Sequence, residues 1–142
     1  MGFQADCRAA AVAFLGDYAS SASIKLQVYP ARPRTLVPPT GFVDAIRETL
    51  DHTTMLTARE VSVEMIVVHG IYDAKDAADQ KDAFVDGLID WSEPRFHQAG
   101  ANTMCAIDEV EDLPEYVPTW VPTPEQRVYY ATRISLGGFR RG

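Results

Sequence analysis

The 142-residue chain has only two cysteines, Cys7 and Cys105, and neither stands at the spacing of a metal site or a redox pair. Both fall within apolar patterns, so we expect them to be buried as small hydrophobic side chains. Long apolar runs are also missing, since no stretch approaches the roughly 20 residues of a membrane-spanning helix. The first residues lack the basic and apolar regions of a secretory signal. We therefore expect the protein not to contact a membrane. We also expect it to be cytoplasmic, unless it leaves the cell as part of a particle.

Basic charge is scarce, because 13 lysine and arginine residues stand against 20 acidic residues and the formal net charge is −7. A nucleic-acid surface needs a concentrated basic patch that releases counterions, so DNA is not expected as a direct ligand. The arginines do concentrate at Arg32 and Arg34, and again at Arg140 and Arg141. These pairs leave local contact with an acidic partner open.

Sequence motifs of catalysis are missing as well: there is no P-loop, no dinucleotide glycine fingerprint, no nucleophile elbow and no histidine pair at zinc spacing. The strongest enzyme candidate is His69 with Asp73 and His97, because a strand end followed by a helix start can gather a base and carboxylates. The structural alternative places His69 in the strand, Asp73 at a helix cap and His97 exposed at a helix end. We expect no catalytic residue, cofactor or metal, and keep a small cytoplasmic enzyme using His69 and Asp73 as the less favoured alternative.

The length and the 46% of apolar residues predict one domain over residues 1–142 with a single core. Apolar residues at steps of three and four predict a first helix over 3–19 and a second from Asp73 to about His97. Period-two alternation predicts five strands: Lys25 to Val28, 41–50, Glu60 to Tyr72, Asn102 to Val110, and Val128 to Leu136. The order α-β-β-β-α-β-β indicates an α+β fold, with two main helices packed on a mixed or antiparallel sheet.

Three details sharpen this expectation. The strand from Glu60 to Tyr72 becomes apolar on both faces, which is typical of a central strand, and Gly70 within it indicates a bulge or a close approach. Segment 41–50 fits a helical period too, but the polar turn after it favours a hairpin with the next strand. Gly137 and Gly138 are expected to end the last strand.

Prolines concentrate in two segments, 30–39 and 111–125, with four in each. Proline fixes φ at about −65° and removes an amide donor, so we expect both segments to be stiff and the first to be extended. We interpret the arm from Ala31 to Thr40 as a docking element. For the aromatic residues of the second segment, Tyr116 and Trp120, two interpretations stay open: a lid over the chain's own core, or a plug into a neighbouring subunit.

Four aspartates share one stripe of the second predicted helix, because Asp79, Asp82, Asp86 and Asp90 are spaced three, four and four apart. Carboxylates along one exposed helix lack the converging oxygens of a calcium or magnesium cage. A solvated face is the first interpretation. A docking face for a basic partner, or repulsion that keeps copies oriented, is the other.

Several segments together resemble a known family. They are Leu26-Gln-Val-Tyr-Pro-Ala-Arg-Pro, Pro38-Pro-Thr-Gly-Phe-Val-Asp, Val67-Val-His-Gly, Gln80-Lys-Asp-Ala-Phe-Val-Asp-Gly-Leu-Ile-Asp-Trp, Ala99-Gly-Ala-Asn-Thr and Tyr129-Tyr-Ala-Thr-Arg-Ile-Ser-Leu. In their order and residue sequence they resemble the tail terminator proteins of long-tailed (siphovirus-type) bacteriophages that infect actinobacteria. The resemblance covers nearly the whole chain and contains no catalytic signature.

The resemblance implies an α+β subunit that forms a homohexameric ring at the head-proximal end of the phage tail tube, stops tube growth and joins the tail to the head connector. The implied partners are further copies of the chain, the tail tube protein and the head-closure or connector proteins, with DNA passing only as cargo. The implied location is the virion, after synthesis in the cytoplasm of the host bacterium. A head-closure or head-tail connector protein of the neck is the alternative in the same functional class. A binding module that uses the aromatic loop as its pocket is an alternative from a different class. Contacts to partners are expected at Tyr29, Arg32, Arg34, Pro38, Tyr116, Trp120, Asp79, Asp82, Asp86 and Arg140.

Overall fold

Two helices and five strands build the protein, in the order α1, β1, β2, β3, α2, β4, β5. The computed structural model describes residues 2–52, 57–71, 75–98, 106–121 and 127–141, and only the backbone of 94–98 and 140–141. The bounds are Phe3–Ser21 (α1), Gln27–Tyr29 (β1), Thr40–Asp51 (β2), Ala58–Ile71 (β3), Ala77–Gln98 (α2), Ala106–Tyr116 (β4) and Tyr129–Arg141 (β5). This order confirms the predicted α+β fold. Predictions for Asp73, Cys105, Pro122, Pro124 and the side chains of His97 and Arg140 lie outside the described residues.

The strands form one mixed sheet in the order β1-β2-β3-β5-β4. β1 and β2 are parallel, and every other neighbouring pair is antiparallel. β3 lies in the middle, as its two apolar faces predict, and β2 and β3 form the predicted hairpin with Asp51 opposite Ala58. The register with β5 shifts between Val68 and Gly70, so the predicted bulge is confirmed.

Both helices pack on one face of the sheet, which we call the helix face. Alternate residues of β3, among them Val63, Met65 and Val67, lie under them. The helices contribute Phe3, Cys7, Ala11, Leu15, Tyr18, Phe84 and Leu88, and β5 contributes Ile134, Leu136 and Phe139. Cys7 is buried as predicted. The apolar stripe of α1 therefore continues through the sheet as one layer.

A close approach joins the two helices. The Tyr18 hydroxyl donates to the Phe84 carbonyl at 3.1 Å, and the two rings meet edge to face at 5.2 Å. A Cβ at Gly87 would collide with that hydroxyl, so glycine is what permits the contact. Burial raises the pKa of the Tyr18 phenol, which keeps it neutral and able to donate.

The opposite face of the sheet carries a second apolar cluster, which we call the loop face. Phe42, Ile66, Val68 and Ala131 point there, and Leu36 and Val121 cover them from the two proline-rich segments. The predicted single core is therefore two buried clusters, one on each side of the sheet. The reason is that the central strand is apolar on both faces only in its second half. There the loop face is covered by loops, while the helices cover the other face.

The fourth strand differs from its prediction. β4 ends at Tyr116 and not at Val110, so residues 111–116 are strand where a proline-stiffened loop was predicted. In the described part of the chain β4 is the last strand on its side and pairs with β5 alone. An edge strand tolerates Pro114, and the register shift between Leu113 and Tyr116 falls around it.

The fifth strand also runs further than predicted, through Gly137 and Gly138 to Arg141. The glycines form part of a bulge instead of an end, since the register with β3 shifts between Val61 and Val63. Gly138 adopts φ 91°, a backbone region that favours glycine. A Cβ at Gly137 would collide with the Asp108 carboxylate.

The second helix begins at Ala77, where the prediction starts at Asp73. The Asp76 carbonyl accepts the first helical hydrogen bond, from the Gln80 amide at 2.8 Å, so Asp76 takes the capping position in the backbone. The helix continues past Pro94 to Gln98. Neither described helix is long and apolar enough to cross a membrane.

Candidate functional site

The proline-rich segment 30–39 folds back on its own chain. The Trp120 indole donates to the Pro33 carbonyl at 2.9 Å, and its ring meets Phe42 edge to face at 5.3 Å. The Arg32 guanidinium lies 4.8 Å from the centre of the same indole ring and donates to the Asp44 carboxylate at 2.9 Å. One tryptophan thus fastens both loops of the loop face to each other and to β2.

Tyr116 completes this aromatic group, with its ring centre 6.1 Å from that of Trp120. Burial, together with the nearby Asp44 carboxylate, raises the pKa of the Tyr116 phenol, while Arg32 and Arg133 oppose the shift. The two rings are half-buried within one copy of the chain. Of the two interpretations of this loop, the lid over the chain's own core describes the packing observed, and the plug into a neighbour stays a prediction.

An open apolar groove of about 250 Å³ lies beside these loops, at the end of the sheet where β3 ends and β5 begins. Its lining consists of Thr35, Leu36, Val37, Pro38, Ile71, Val121, Arg127 and Tyr129. Val37 is 72% exposed, so the groove opens onto an apolar rim. Trp120 and Tyr116 do not line it, which separates it from the aromatic pocket that a binding module was expected to have.

His69 has the ordinary place of a strand residue on the helix face. It is 6% exposed, its Nε2 lies 2.8 Å from the Thr132 hydroxyl, and its ring meets Phe84 at 5.2 Å. Burial lowers its pKa to about 4, with a smaller contribution from Lys81 and an opposing one from Asp112. The ring is therefore neutral at pH 7 and already partnered. Within the described residues, no group of three or more acidic, histidine or cysteine side chains is placed to hold a metal ion.

The aspartate stripe of α2 is exposed along its whole length, at Asp79, Asp82, Asp86 and Asp90. Asp82 lies 2.6 Å from the Lys81 ammonium, which also reaches Asp112 on β4 at 3.6 Å. Lys81 therefore ties α2 to the edge strand. The exposure agrees with the solvated-face interpretation, and docking of a partner on the stripe stays a prediction.

A charged cluster fixes the start of α1 against the hairpin of β2 and β3. The Glu48 carboxylate accepts hydrogen bonds from Arg59, at 3.0 Å from Nη2, and from Gln4 at 2.6 Å. These bonds lower the pKa of Glu48 to about 2. The Arg59 guanidinium in turn lies 5.1 Å from the Phe3 ring centre. Its surroundings, a helix start and a hairpin, indicate a structural role.

The remaining predicted contact residues are scattered around the loop face. Tyr29 is half-buried and donates to Gln27, Arg34 is exposed, and Pro38 lines the groove. The acidic residues of β4, such as Glu109 and Glu115, are not among the predicted contacts and are exposed at the sheet edge. The available signal is the apolar residue at every third position of 107–113 with acidic pairs between, and the prolines that follow favour a loop instead.

Comparisons with known proteins identify no family for this chain. No protein-family model matches the chain, and no curated protein matches it.

Proposed function

We propose that this chain is the tail terminator subunit of a long-tailed bacteriophage. Copies of it form a homohexameric ring at the head-proximal end of the tail tube, which stops tube growth and joins the tail to the head connector. Its partners are other copies, the tail tube protein and the head-closure or connector proteins, and DNA passes through as cargo. The protein acts in the virion, after synthesis in the host cytoplasm, and by contact rather than by a chemical reaction.

The observation that carries this proposal is where the resembling segments lie in the fold. Strand register places Val28 opposite Gly41, Thr40 opposite Val68, and Val68 opposite Ala131. Segments from both halves of the chain are thus neighbours at one end of the sheet. Four of the six resembling segments thus lie together in the sheet, which supports transferring the family's role to this chain.

The loop face gives a second line of support. Its two proline-rich segments are held in place by the bonds of Trp120 and Arg32 before any partner arrives. A surface that is already ordered loses little entropy on binding, which suits repeated contacts in an assembly. Beside it lies the exposed rim of the groove, with Val37 and Ile71 open to solvent.

Electron microscopy of lysates from a phage that lacks this gene tests the proposal. We expect overlong, irregular tails detached from filled heads, because tube growth is no longer stopped. Tails of normal length beside unjoined heads would assign the chain to the connector role instead. Intact, infectious particles would contradict an assembly role altogether.

A further inference from the structure

Both outer strands of the sheet offer an edge for pairing. In the part of the chain that the structure describes, β4 pairs with β5 alone and β1 with β2 alone. The outward backbone groups of such strands form a template on which another chain can dock. Natural proteins usually protect such edges, often with charged side chains. The charges on each edge therefore indicate which partners it repels and which it accepts.

The two edges carry opposite charge. Residues 106–116, which form β4, contain five acidic residues and no basic one, whereas residues 22–39, which contain β1, have three basic residues and no acidic one. The acidic residues are Asp108, Glu109, Glu111, Asp112 and Glu115, and the basic residues are Lys25, Arg32 and Arg34. The chain as a whole is acidic, so this separation of charge is not a consequence of composition.

Some of these charges are already used within the chain. Glu111 pairs with Arg133 at 2.8 Å, Asp112 with Lys81, and Arg32 with Asp44. On the acidic edge this leaves Asp108, Glu109 and Glu115, all exposed and without an ion pair among the described residues.

On the basic edge the corresponding residues are Lys25 and Arg34, which are likewise exposed and have no ion pair among the described side chains. Each edge thus retains charge that is not paired within the described part of the chain. Because the two sets have opposite sign, a second copy of the same chain supplies the complement to both.

We propose that the acidic edge β4 of one copy docks on the basic edge of the next, which consists of β1 and the neighbouring residues 22–39. Two β4 edges repel each other, since like charges directly opposite are destabilising, and this disfavours a symmetric pair. The contact joins different surfaces of the two copies. Such contacts repeat from copy to copy and close into a ring where the rotation allows. The pairing follows from the edges and their charges, and only its closure into a ring rests on the proposed function.

The edges also limit the length of the contact. β1 has three residues, and Pro114 in β4 has no amide hydrogen to donate. A backbone ladder between copies is therefore short, and the charges set both its orientation and its strength. An association that depends on exposed charges weakens as salt screens them.

Charge reversal on each edge, followed by sedimentation analysis of the full chain, tests this proposal. The acidic-edge variant is Glu109→Lys with Glu115→Lys, and the basic-edge variant is Lys25→Glu with Arg34→Glu. At low salt we expect the wild-type chain to associate beyond a dimer. Either variant alone should raise the dissociation constant by roughly tenfold or more, because two attractions become repulsions.

Mixing makes the test specific. An equal mixture of the two variants should associate again in a 1:1 ratio, and a chain with all four substitutions should associate by itself. A symmetric contact between two β4 edges predicts at most a dimer in the mixture. The matched control is Asp86→Lys with Asp90→Lys, which makes the same change of charge on the exposed stripe of α2 and should leave association unchanged.

The proposal is overturned if the wild-type chain stays monomeric at low salt, if the mixture stays unassociated, or if the α2 control weakens association as much as the edge variants. Circular dichroism of each variant shows whether it is folded, and the four-substitution chain supplies a folded counterpart that carries every change. Rings that form unaffected by the edge variants would overturn the edge contact and leave the proposed function intact. Salt-dependent pairing of the edges in the purified chain, together with intact particles from a phage that lacks the gene, would contradict the proposed function and leave the edge contact intact.

Discussion

The two faces of the sheet are closed in different ways although they share the same central strand. On the helix face, two helices cover β3 from Val61 to His69, and the hydroxyl of Tyr18 joins them. On the loop face, two proline-rich segments cover one half, fastened by the bonds of Trp120, and the other half stays open and polar. Helices satisfy their own backbone, whereas the loops depend on a few side chains. We therefore expect stability to be concentrated on the helix face, while surface for partners is left on the loop face and the edges.

The largest expected effect separates the two faces directly. Leu88→Ala, at a fully buried position of α2, should lower the free energy of unfolding by about 2–5 kcal/mol through lost burial and a cavity. The matched variant on the loop face, Leu36→Ala, should cost less, since Leu36 lines the open groove, where water can enter. Urea unfolding of both variants provides the values. An equal or greater loss for Leu36→Ala would remove the distinction between the faces.

The buried His69 adds a pH dependence to the helix face. Its pKa is about 4 in the folded protein and 6.5 as a free side chain, so the unfolded chain takes up a proton first as the pH falls. Stability should therefore decrease from about pH 6.5 to about pH 4, by roughly 3 kcal/mol, and change no further through this group below that range.

The measurement is the difference in unfolding free energy between the wild-type chain and His69→Gln across this range. Glutamine keeps a polar group near the Thr132 hydroxyl but does not titrate, so groups common to both chains cancel. A difference that stays constant with pH would show that His69 is not held neutral by burial.

On the loop face, Trp120→Phe removes one hydrogen bond between the two proline-rich segments. The phenyl ring keeps the contact with Phe42 but cannot donate to the Pro33 carbonyl. We expect a loss of about 0.5–1.5 kcal/mol, the usual net value of a hydrogen bond. Hydrogen exchange should show faster opening in segment 30–39 and no change in α1. Loss spread evenly over the protein would contradict the local role of this bond.

The smallest effect is expected on the open, polar half of the loop face. Arg47 and Glu64 form an exposed ion pair there at 3.4 Å, with 76% of the Arg47 side chain accessible. Arg47→Ala should change the free energy of unfolding by less than about 1 kcal/mol, because exposed pairs contribute little. A larger loss, measured by the same urea unfolding, would mean that this half of the sheet is covered.

Much of the fold follows from periodicity in the sequence. The steps of three and four in α1 and the two apolar faces of β3 predict both elements and the central place of β3, and Gly70 predicts its bulge. The errors come from residues whose effect depends on position in the sheet. Pro114 excludes a central strand but is tolerated at an edge, and Gly138 ends a strand only where no neighbour continues the pairing.

The candidate site was less accessible to sequence reasoning than the fold. The sequence predicts Arg32 and Trp120 as partner contacts, but no local pattern shows that they meet, since the loops that carry them come together only over the folded sheet. The edge charges were missed for the same reason. Glu109 and Lys25 become informative only when β4 and β1 are known to be the outermost described strands.

Complementation tests the proposal that copies of this chain end a phage tail through contacts between their edges. A phage lacking the gene is supplied with the wild-type chain, the acidic-edge variant or the chain with all four substitutions, and tail lengths are measured by electron microscopy. We predict normal particles with the first and the last, and overlong, headless tails with the acidic-edge variant. Normal infectious particles from the acidic-edge variant would contradict this proposal.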